Sequence, residues 1–114
     1  MNILYLEDNQ MDAALVQRYI ETTDHQLDVV ATLDDADAVL SDNTDLLLID
    51  IMIDNERSGL DFVRYLRDRG FDKQIIAVTA LSSNDDIENC REVGCNAVLI
   101  KPFNITQLAE IINY

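Results

Sequence analysis

The sequence has 114 residues, a length typical of one compact domain that can bury a real core. Apolar residues make up 48 % and charged residues 26 %, so the chain has enough apolar surface to fold and is not predicted to be disordered. Eight basic residues against 22 acidic ones give a net charge of −14. This balance argues against direct nucleic acid binding, because that affinity comes largely from cations placed on phosphates.

No apolar run approaches the roughly 18 residues of a membrane span, so we expect no membrane association. The N-terminus has no basic region, apolar stretch or cleavage site of a secretory signal. The only two cysteines, Cys90 and Cys95, do not form a CxxC pair and are predicted to be small buried side chains. These features predict a cytoplasmic, reducing location.

Short apolar runs alternate with segments of helical periodicity along the chain. The predicted strands are residues 3–6, 27–31, 46–49, 75–78 and 97–100. The predicted helices follow the candidate N-caps Asp8 and Asn9, cover residues 34–40 and 58–69, lie between Ser83 and Gly94, and follow Asn104. The run 46–49 is apolar at every position, which is typical of a strand covered by helices on both faces. The alternation predicts an α/β fold with a parallel sheet, in one domain over residues 1–114.

Polar residues follow four of the predicted strands: Glu7 and Asp8, Asp50, Thr79 and Lys101. In open α/β sheets, ligands bind beyond the carboxyl ends of the strands, so these side chains are expected in one cleft. Carboxylates that share a cleft repel one another unless a cation neutralises them, and hard oxygen ligands suit Mg²⁺. With a lysine nearby, the set fits metal-assisted phosphoryl transfer onto a carboxylate nucleophile.

In their order and spacing, these motifs resemble the receiver domain of two-component response regulators. The motifs are Glu7-Asp8, Asp50 after the apolar strand, Gly59-Leu60 in the third helix, Thr79-Ala80, and Lys101-Pro102-Phe103. The resemblance covers residues 2–113 and implies a flavodoxin-like three-layer sandwich. Its five-stranded parallel sheet would have the order 2-1-3-4-5, with five flanking helices. The strand order is thus implied by the resemblance and not by periodicity.

The resemblance also implies a signalling switch. Asp50 would be the phosphoacceptor and would take a phosphoryl group from a sensor histidine kinase or a phosphotransfer protein. Glu7, Asp8, Asp50 and the backbone carbonyl of Met52 would hold Mg²⁺. The domain would catalyse at most its own phosphorylation and dephosphorylation, so it is not predicted to be an enzyme in the usual sense.

Further roles follow from the same resemblance. Thr79, Ala80 and Lys101 would contact the phosphoryl group, and Lys101–Pro102 would be a cis peptide bond. Met52 and Leu81 would flank the path of the water that hydrolyses the acyl phosphate. The surface of the fourth helix, the fifth strand and the fifth helix would change on phosphorylation. That surface would control a partner, a phosphorylation-dependent homodimer, or an effector domain outside this chain.

Two departures from the family pattern concern readout. Val98 stands where the family usually has an aromatic residue, three positions before the lysine. The usual coupling, in which a ring turns inward as the threonine moves, therefore cannot operate in that form. Asp54 stands at a usual proline position, and the loop 52–58 is longer than usual by about one residue. The residues that would carry the chemistry are nevertheless complete.

Other interpretations of the same residues remain open. The principal alternative is a phosphorylation-independent protein-binding module that keeps the receiver fold. A Mg²⁺-dependent phosphohydrolase ranks lower because Asp50 begins no DxD motif, and a flavin protein is disfavoured because Glu7 and Asp8 would repel its phosphate. The sequence names neither a kinase nor an output. His25 is expected in a surface loop, and the arginines at 57, 64, 67 and 69 are expected to form a solvated face.

Overall fold

The computed structural model describes residues 1–53 and 58–113. The strands are β1 (Asn2–Leu6), β2 (Gln26–Val30), β3 (Leu46–Asp50), β4 (Gln74–Thr79) and β5 (Ala97–Ile100). The helices are α1 (Gln10–Glu21), α2 (Leu33–Val39), α3 (Ser58–Asp68), α4 (Asn84–Val93) and α5 (Ile105–Ile112). The sheet is parallel throughout, in the order β2-β1-β3-β4-β5. The predicted fold class and strand order are therefore confirmed.

The apolar run that the sequence marks as buried on both faces is the middle strand, β3. All five of its residues are buried, including Asp50 at its carboxyl end. Each fully buried aliphatic side chain contributes about 1.5–3 kcal/mol, so β3 anchors the core on both sides of the sheet. The edge strands β2 and β5 are only partly buried, as expected for strands with one sheet neighbour.

Successive residues of each strand enter different apolar layers, as the pleat requires. One layer joins one set of strand side chains to α1 and α5, through residues such as Val16 and Leu108. The other layer joins the alternate set to α2, α3 and α4, through residues such as Ala36, Val63 and Cys90. The sheet thus lies between two helices on one face and three on the other.

Several element boundaries differ from those predicted. α1 has Asn9 as its N-cap, because that side chain accepts from the backbone amides of Met11 and Asp12; the candidate Asp8 lies outside the helix. α2 begins at Leu33, one residue early, because Thr32 caps it. β2 covers residues 26–30, not 27–31, because it pairs with the whole of β1. α3 ends at Asp68, one residue before the predicted end.

Arg67 corrects the prediction that the arginines of the third helix form a solvated face. It is half-buried and donates to the carbonyl oxygens of Phe71, Lys73 and Gly94, at 2.7–3.1 Å, and to Oδ1 of Asn96 at 2.9 Å. Burial lowers the pKa of its guanidinium. The side chain therefore joins the end of α3 to the loop between α4 and β5. Arg57 lies outside the described residues.

The remaining structural expectations concern small residues and loops. Cys90 and Cys95 are buried, as predicted, and form no disulfide bond; a hydrogen bond with Cys90, together with burial, raises the pKa of the Cys95 thiol. His25 is half-exposed before β2, where its Nδ1 lies 2.9 Å from the N-terminal amine. Gly70 and Gly94 follow α3 and α4 with φ of 91° and 120°, conformations that favour glycine at helix ends. In the described ranges, no helix is long and apolar enough to cross a membrane.

Candidate functional site

The period of two along the strands places three of the predicted site residues on one face of the sheet. Tyr5, Leu48 and Leu99 all enter the layer beneath α1 and α5. Two residues further on, at the carboxyl ends of β1, β3 and β5, come Glu7, Asp50 and Lys101. Alternation predicts that these three side chains lie on the same face, and the contacts between them agree.

Lys101 is the centre of this group. Its Nζ lies 2.5 Å from Oε1 of Glu7, 3.0 Å from Oδ2 of Asp12 and 3.2 Å from Oδ2 of Asp50. Only 17 % of the Lys101 side chain is exposed. Burial alone would lower the pKa of the ammonium, but its hydrogen bonds to Glu7 and Asp12 and the nearby Asp50 charge outweigh burial and raise the pKa. Lys101 is therefore a fixed cation among three carboxylates.

Glu7 is buried, with 2 % of the residue exposed. The hydroxyl of Tyr5 donates to its Oε1 over 3.2 Å, at the same oxygen that Lys101 contacts. Within the described chain, its other oxygen, Oε2, is buried and has no hydrogen-bond partner. Burial and the neighbouring Asp50 carboxylate raise the pKa of Glu7 to about 8, against the opposing effect of Lys101. A buried carboxylate oxygen without a donor is costly unless a cation or a proton meets it.

A candidate cation site is formed by Glu7, Asp8 and Asp50, each of which offers a carboxylate oxygen within 4.8 Å of the others. Glu7 and Asp50 are buried, whereas Asp8 is exposed. The unpartnered Oε2 of Glu7 and an all-oxygen donor set fit Mg²⁺, which is commonly held by one or two carboxylates together with water. The structure therefore agrees with the predicted metal at the level of donor chemistry.

The backbone after β3 holds Asp50 in place. The amide of Met52 donates to Oδ1 of Asp50 over 3.0 Å, and Met52 itself is half-buried. Gly59, at the start of α3, packs against this backbone: a Cβ there would lie 2.7 Å from the carbonyl oxygen of Asp50 and from the Cα of Ile51. Only glycine allows this approach without a shift of the backbone that carries Asp50.

Thr79 lies at the end of β4, beside β3, and is 2 % exposed. Its hydroxyl accepts from the amide of Leu81 over 3.0 Å, and its carbonyl accepts from the amide of Lys101 over 2.8 Å. Ala80 is exposed and Leu81 is half-buried. The Lys101–Pro102 peptide bond is cis. Thr79 and Lys101 thus lie at the carboxyl-terminal ends of their strands, at the same end of the sheet as Asp50.

Two residues of the site were missed by the sequence interpretation. Tyr5 looks like one member of an apolar run, although its position two residues before Glu7 places it on the same face. Asp12 looks like an ordinary first-turn acid of α1, although it lies four residues after Asp8 and its helix packs over the site face. The sequence signal for Tyr5 was a polar hydroxyl within an apolar run. The signal for Asp12 was an acid four residues after the acid pair.

The two departures from the family pattern differ in what the structure says of them. Val98 is half-buried and packs against the layer that contains α3 and α4. Its effect on readout stays a prediction. The lengthened loop falls mainly on residues 54–57, which lie outside the described residues.

The comparisons with known proteins agree with this geometry. The model of the response regulator receiver domain family matches residues 3–113. The polar-differentiation response regulator DivK of Brucella ovis is 31 % identical, over 97 % of this chain and 92 % of its own length. The transcriptional regulatory protein DltR of Streptococcus agalactiae is also 31 % identical, over 95 % of this chain but 48 % of its own length.

Among solved structures, the BeF3-activated N-terminal receiver domain of RstA from Klebsiella pneumoniae superposes with a TM-score of 0.89. The match covers 99 % of this chain and 96 % of that domain, at 24 % identity, and therefore supports the fold alone. Fold, strand-end residues and family match lead to one conclusion: the chain belongs to the response regulator receiver domain family, the signalling modules of two-component systems.

Proposed function

We propose that this domain is a phosphorylatable switch in which Asp50 accepts a phosphoryl group from a histidine kinase or a phosphotransfer protein. The observation that carries the proposal is the environment of Asp50. Its side chain is buried, its Oδ2 lies 3.2 Å from Lys101, and its Oδ1 accepts from the Met52 amide. A fixed carboxylate beside a fixed cation is suited to act as an in-line nucleophile toward phosphorus.

Glu7, Asp8, Asp50 and the backbone carbonyl of Met52 would hold Mg²⁺. When bound, the cation would neutralise negative charge on the phosphoryl oxygens during transfer. Oε2 of Glu7 supports this assignment: it is buried and has no hydrogen-bond partner among the described residues, and a bound cation would supply one. The chain's own contribution is to hold the carboxylates together before any ligand arrives, so that little reorganisation is needed.

Lys101 and Thr79 would receive the phosphoryl group. The Lys101 ammonium already lies against Asp50 and would bind a phosphoryl oxygen through a charge-assisted hydrogen bond. The Thr79 hydroxyl, with the backbone of Ala80, would bind a second oxygen. To do so, the hydroxyl turns its donor toward the phosphoryl group while it still accepts from Leu81.

The signal would leave the domain through the surface of α4, β5 and α5. Thr79 supports this route, because its carbonyl bonds the backbone of Lys101, directly after β5. With Val98 in place of a ring, the readout would be a displacement of the loop after β4 without an aromatic rotation. We propose that the surface controls a partner, a second copy of the domain, or an effector domain. Residues 1–114 would act as one receiver domain in the cytoplasm, where its cysteine thiols would stay reduced.

The test is incubation of the protein with a small acyl phosphodonor and Mg²⁺, followed by intact mass measurement. We expect an increase by one phosphoryl group that is absent in Asp50→Asn and when Mg²⁺ is chelated. Asp45→Asn is the matched control, since Asp45 is an exposed acid directly before the same strand. A parent protein that stays unmodified while binding its partner would identify a phosphorylation-independent binding module instead.

A further inference from the structure

We propose that Asp12 is a positioning residue: it holds the Lys101 ammonium in the resting protein and competes with the phosphoryl group for it. The inference rests on the proposed function, because it concerns the same site. Asp12 belongs to α1 and not to a strand end, and it is not one of the three acids that form the candidate cation site. Its role is therefore distinct from metal binding.

The number of hydrogen-bond donors on Lys101 limits how many groups it can bind at once. An ammonium group has three N–H donors and no acceptor. Among residues 1–53 and 58–113, its three close partners are Glu7, Asp12 and Asp50, one carboxylate oxygen each. The donors are thus all in use, so a phosphoryl oxygen can bind Lys101 only if one carboxylate is displaced.

The three carboxylates differ in how easily they can be displaced from Lys101. The Glu7 side chain is fully buried, and the Asp50 side chain is 9 % exposed. The Asp12 side chain is 39 % exposed, so water can replace its bond to Lys101. Asp12 is therefore the partner that Lys101 gives up at the lowest cost when Asp50 is modified.

Phosphorylation of Asp50 also adds negative charge to this group of acids. A phosphorylated side chain carries nearly two negative charges at neutral pH. Asp12 lies on the same ammonium as Asp50, so it opposes that extra charge as well as occupying a donor. Both effects act in the same direction: Asp12 slows phosphorylation and lowers the phosphorylated fraction at a given donor concentration.

The test compares phosphorylation of Asp12→Asn with that of the parent, with acetyl phosphate as the donor at saturating Mg²⁺. The matched control is Asp35→Asn, because Asp35 is the third residue of α2 as Asp12 is of α1, and each donates its backbone amide to the N-cap. We expect Asp12→Asn to raise the initial rate about two- to fivefold, the range that a partly exposed ion pair implies. Asp35→Asn should leave the rate unchanged.

A double-mutant comparison shows whether Asp12 acts through Lys101. In a Lys101→Met background, the rate increase caused by Asp12→Asn should be clearly smaller, because only the direct repulsion between Asp12 and the phosphoryl charge remains. A rate that does not rise in Asp12→Asn, or a rise of the same size in the Lys101→Met background, would overturn the proposal.

A spectroscopic measurement separates this proposal from the proposed function. The ¹H–¹⁵N signal of the Lys101 ammonium in the unmodified protein should shift in Asp12→Asn and not in Asp35→Asn. An unmoved signal would overturn the contact itself, whatever the kinetics. If the parent were not phosphorylated at all, the proposed function and the competition would both fail, and a shifted ammonium signal would then show only that Asp12 holds Lys101.

Discussion

The hydroxyl of Tyr5 donates a 3.2 Å hydrogen bond to Oε1 of Glu7, and the two residues are 0 % and 2 % exposed. Lys101 contacts the same oxygen, so Oε1 has two donors, whereas Oε2 has none within the described residues. Burial and the Glu7 charge raise the pKa of Tyr5, which keeps its hydroxyl protonated and able to donate. The buried end of the site is therefore the Glu7 carboxyl group, which is oriented by a hydrogen bond from Tyr5 in the core.

Tyr5→Phe removes this donor with little change of volume. We expect it to lower the free energy of unfolding by about 1–2 kcal/mol, since a buried carboxylate loses one of its partners. Mg²⁺ binding should weaken by about tenfold, as is typical when the group that orients a metal ligand is lost. Urea unfolding and titration with Mg²⁺ measure the two effects. Tyr19→Phe is the control, because the Tyr19 hydroxyl bonds only the exposed Asn113 side chain among the described residues; equal effects in both variants would contradict the prediction.

Asp8→Ala tests the most exposed of the proposed metal ligands. We expect Mg²⁺ to stabilise the parent protein, by about 2.7 kcal/mol at 100 times its Kd, because it binds the folded site and relieves repulsion among the carboxylates. In Asp8→Ala this gain should be lost. Thermal unfolding with and without Mg²⁺ is the measurement, and Asp35→Ala removes an equal charge from an exposed position. A gain that persists in Asp8→Ala would place the cation elsewhere.

Arg67→Ala tests whether the Arg67 side chain stabilises the fold by joining the end of α3 to the loop between α4 and β5. The variant leaves the carbonyls of Phe71, Lys73 and Gly94 without their donor, so we expect a loss of about 3 kcal/mol in the free energy of unfolding. Arg64→Ala, in the same helix, should change it by less than about 0.5 kcal/mol, because Arg64 is exposed and has a 3.9 Å ion pair with Asp61. Chemical denaturation measures the free energy of unfolding of both variants. Similar losses in the two would show that Arg67 contributes no more to stability than an exposed arginine.

Met52 and Leu81 are predicted to slow the loss of the phosphoryl group. Both are half-buried and apolar, and neither can orient an attacking water strongly. We expect the double variant Met52→Asn, Leu81→Glu to lose its phosphoryl group faster than the parent after the donor is removed. Decay of the phosphorylated mass with time measures this. A decay no faster than in the parent, at unchanged Mg²⁺ affinity, would show that the two side chains only cover the edge of the sheet.

The parts of the site that lie at strand ends could be predicted from the sequence. Parallel strands end at the same edge of the sheet and alternate with a fixed period, so Glu7, Asp50 and Lys101 follow from position alone. The third side chain on Lys101 could not be predicted in this way. Asp12 reaches the lysine because α1 packs across that face, and the packing of a helix depends on the whole apolar layer beneath it.

The fold shows the same difference between features that follow from strand patterns and features that depend on pairing or packing. The limits of β3 could be predicted to within one residue, because a short run that is apolar at every position is typical of a strand buried on both faces. The predicted range of β2 differs from the observed one by one residue, because the limits of a half-exposed edge strand are set by its pairing with β1. Arg67 was misread because its partners are backbone carbonyls, which carry no side-chain signature in the sequence. Contacts made by the backbone and by helix packing are thus the ones that sequence patterns do not disclose.

The central claim is that Asp50 carries the phosphoryl group. It is tested most directly by phosphorylating the parent protein with acetyl phosphate and Mg²⁺, reducing the acyl phosphate with borohydride, and sequencing the peptides by tandem mass spectrometry. Reduction converts a phosphorylated aspartate to homoserine, and we predict homoserine at position 50. Homoserine at another aspartate, 5-hydroxynorvaline at a glutamate, or phosphate retained on His25 would contradict this assignment.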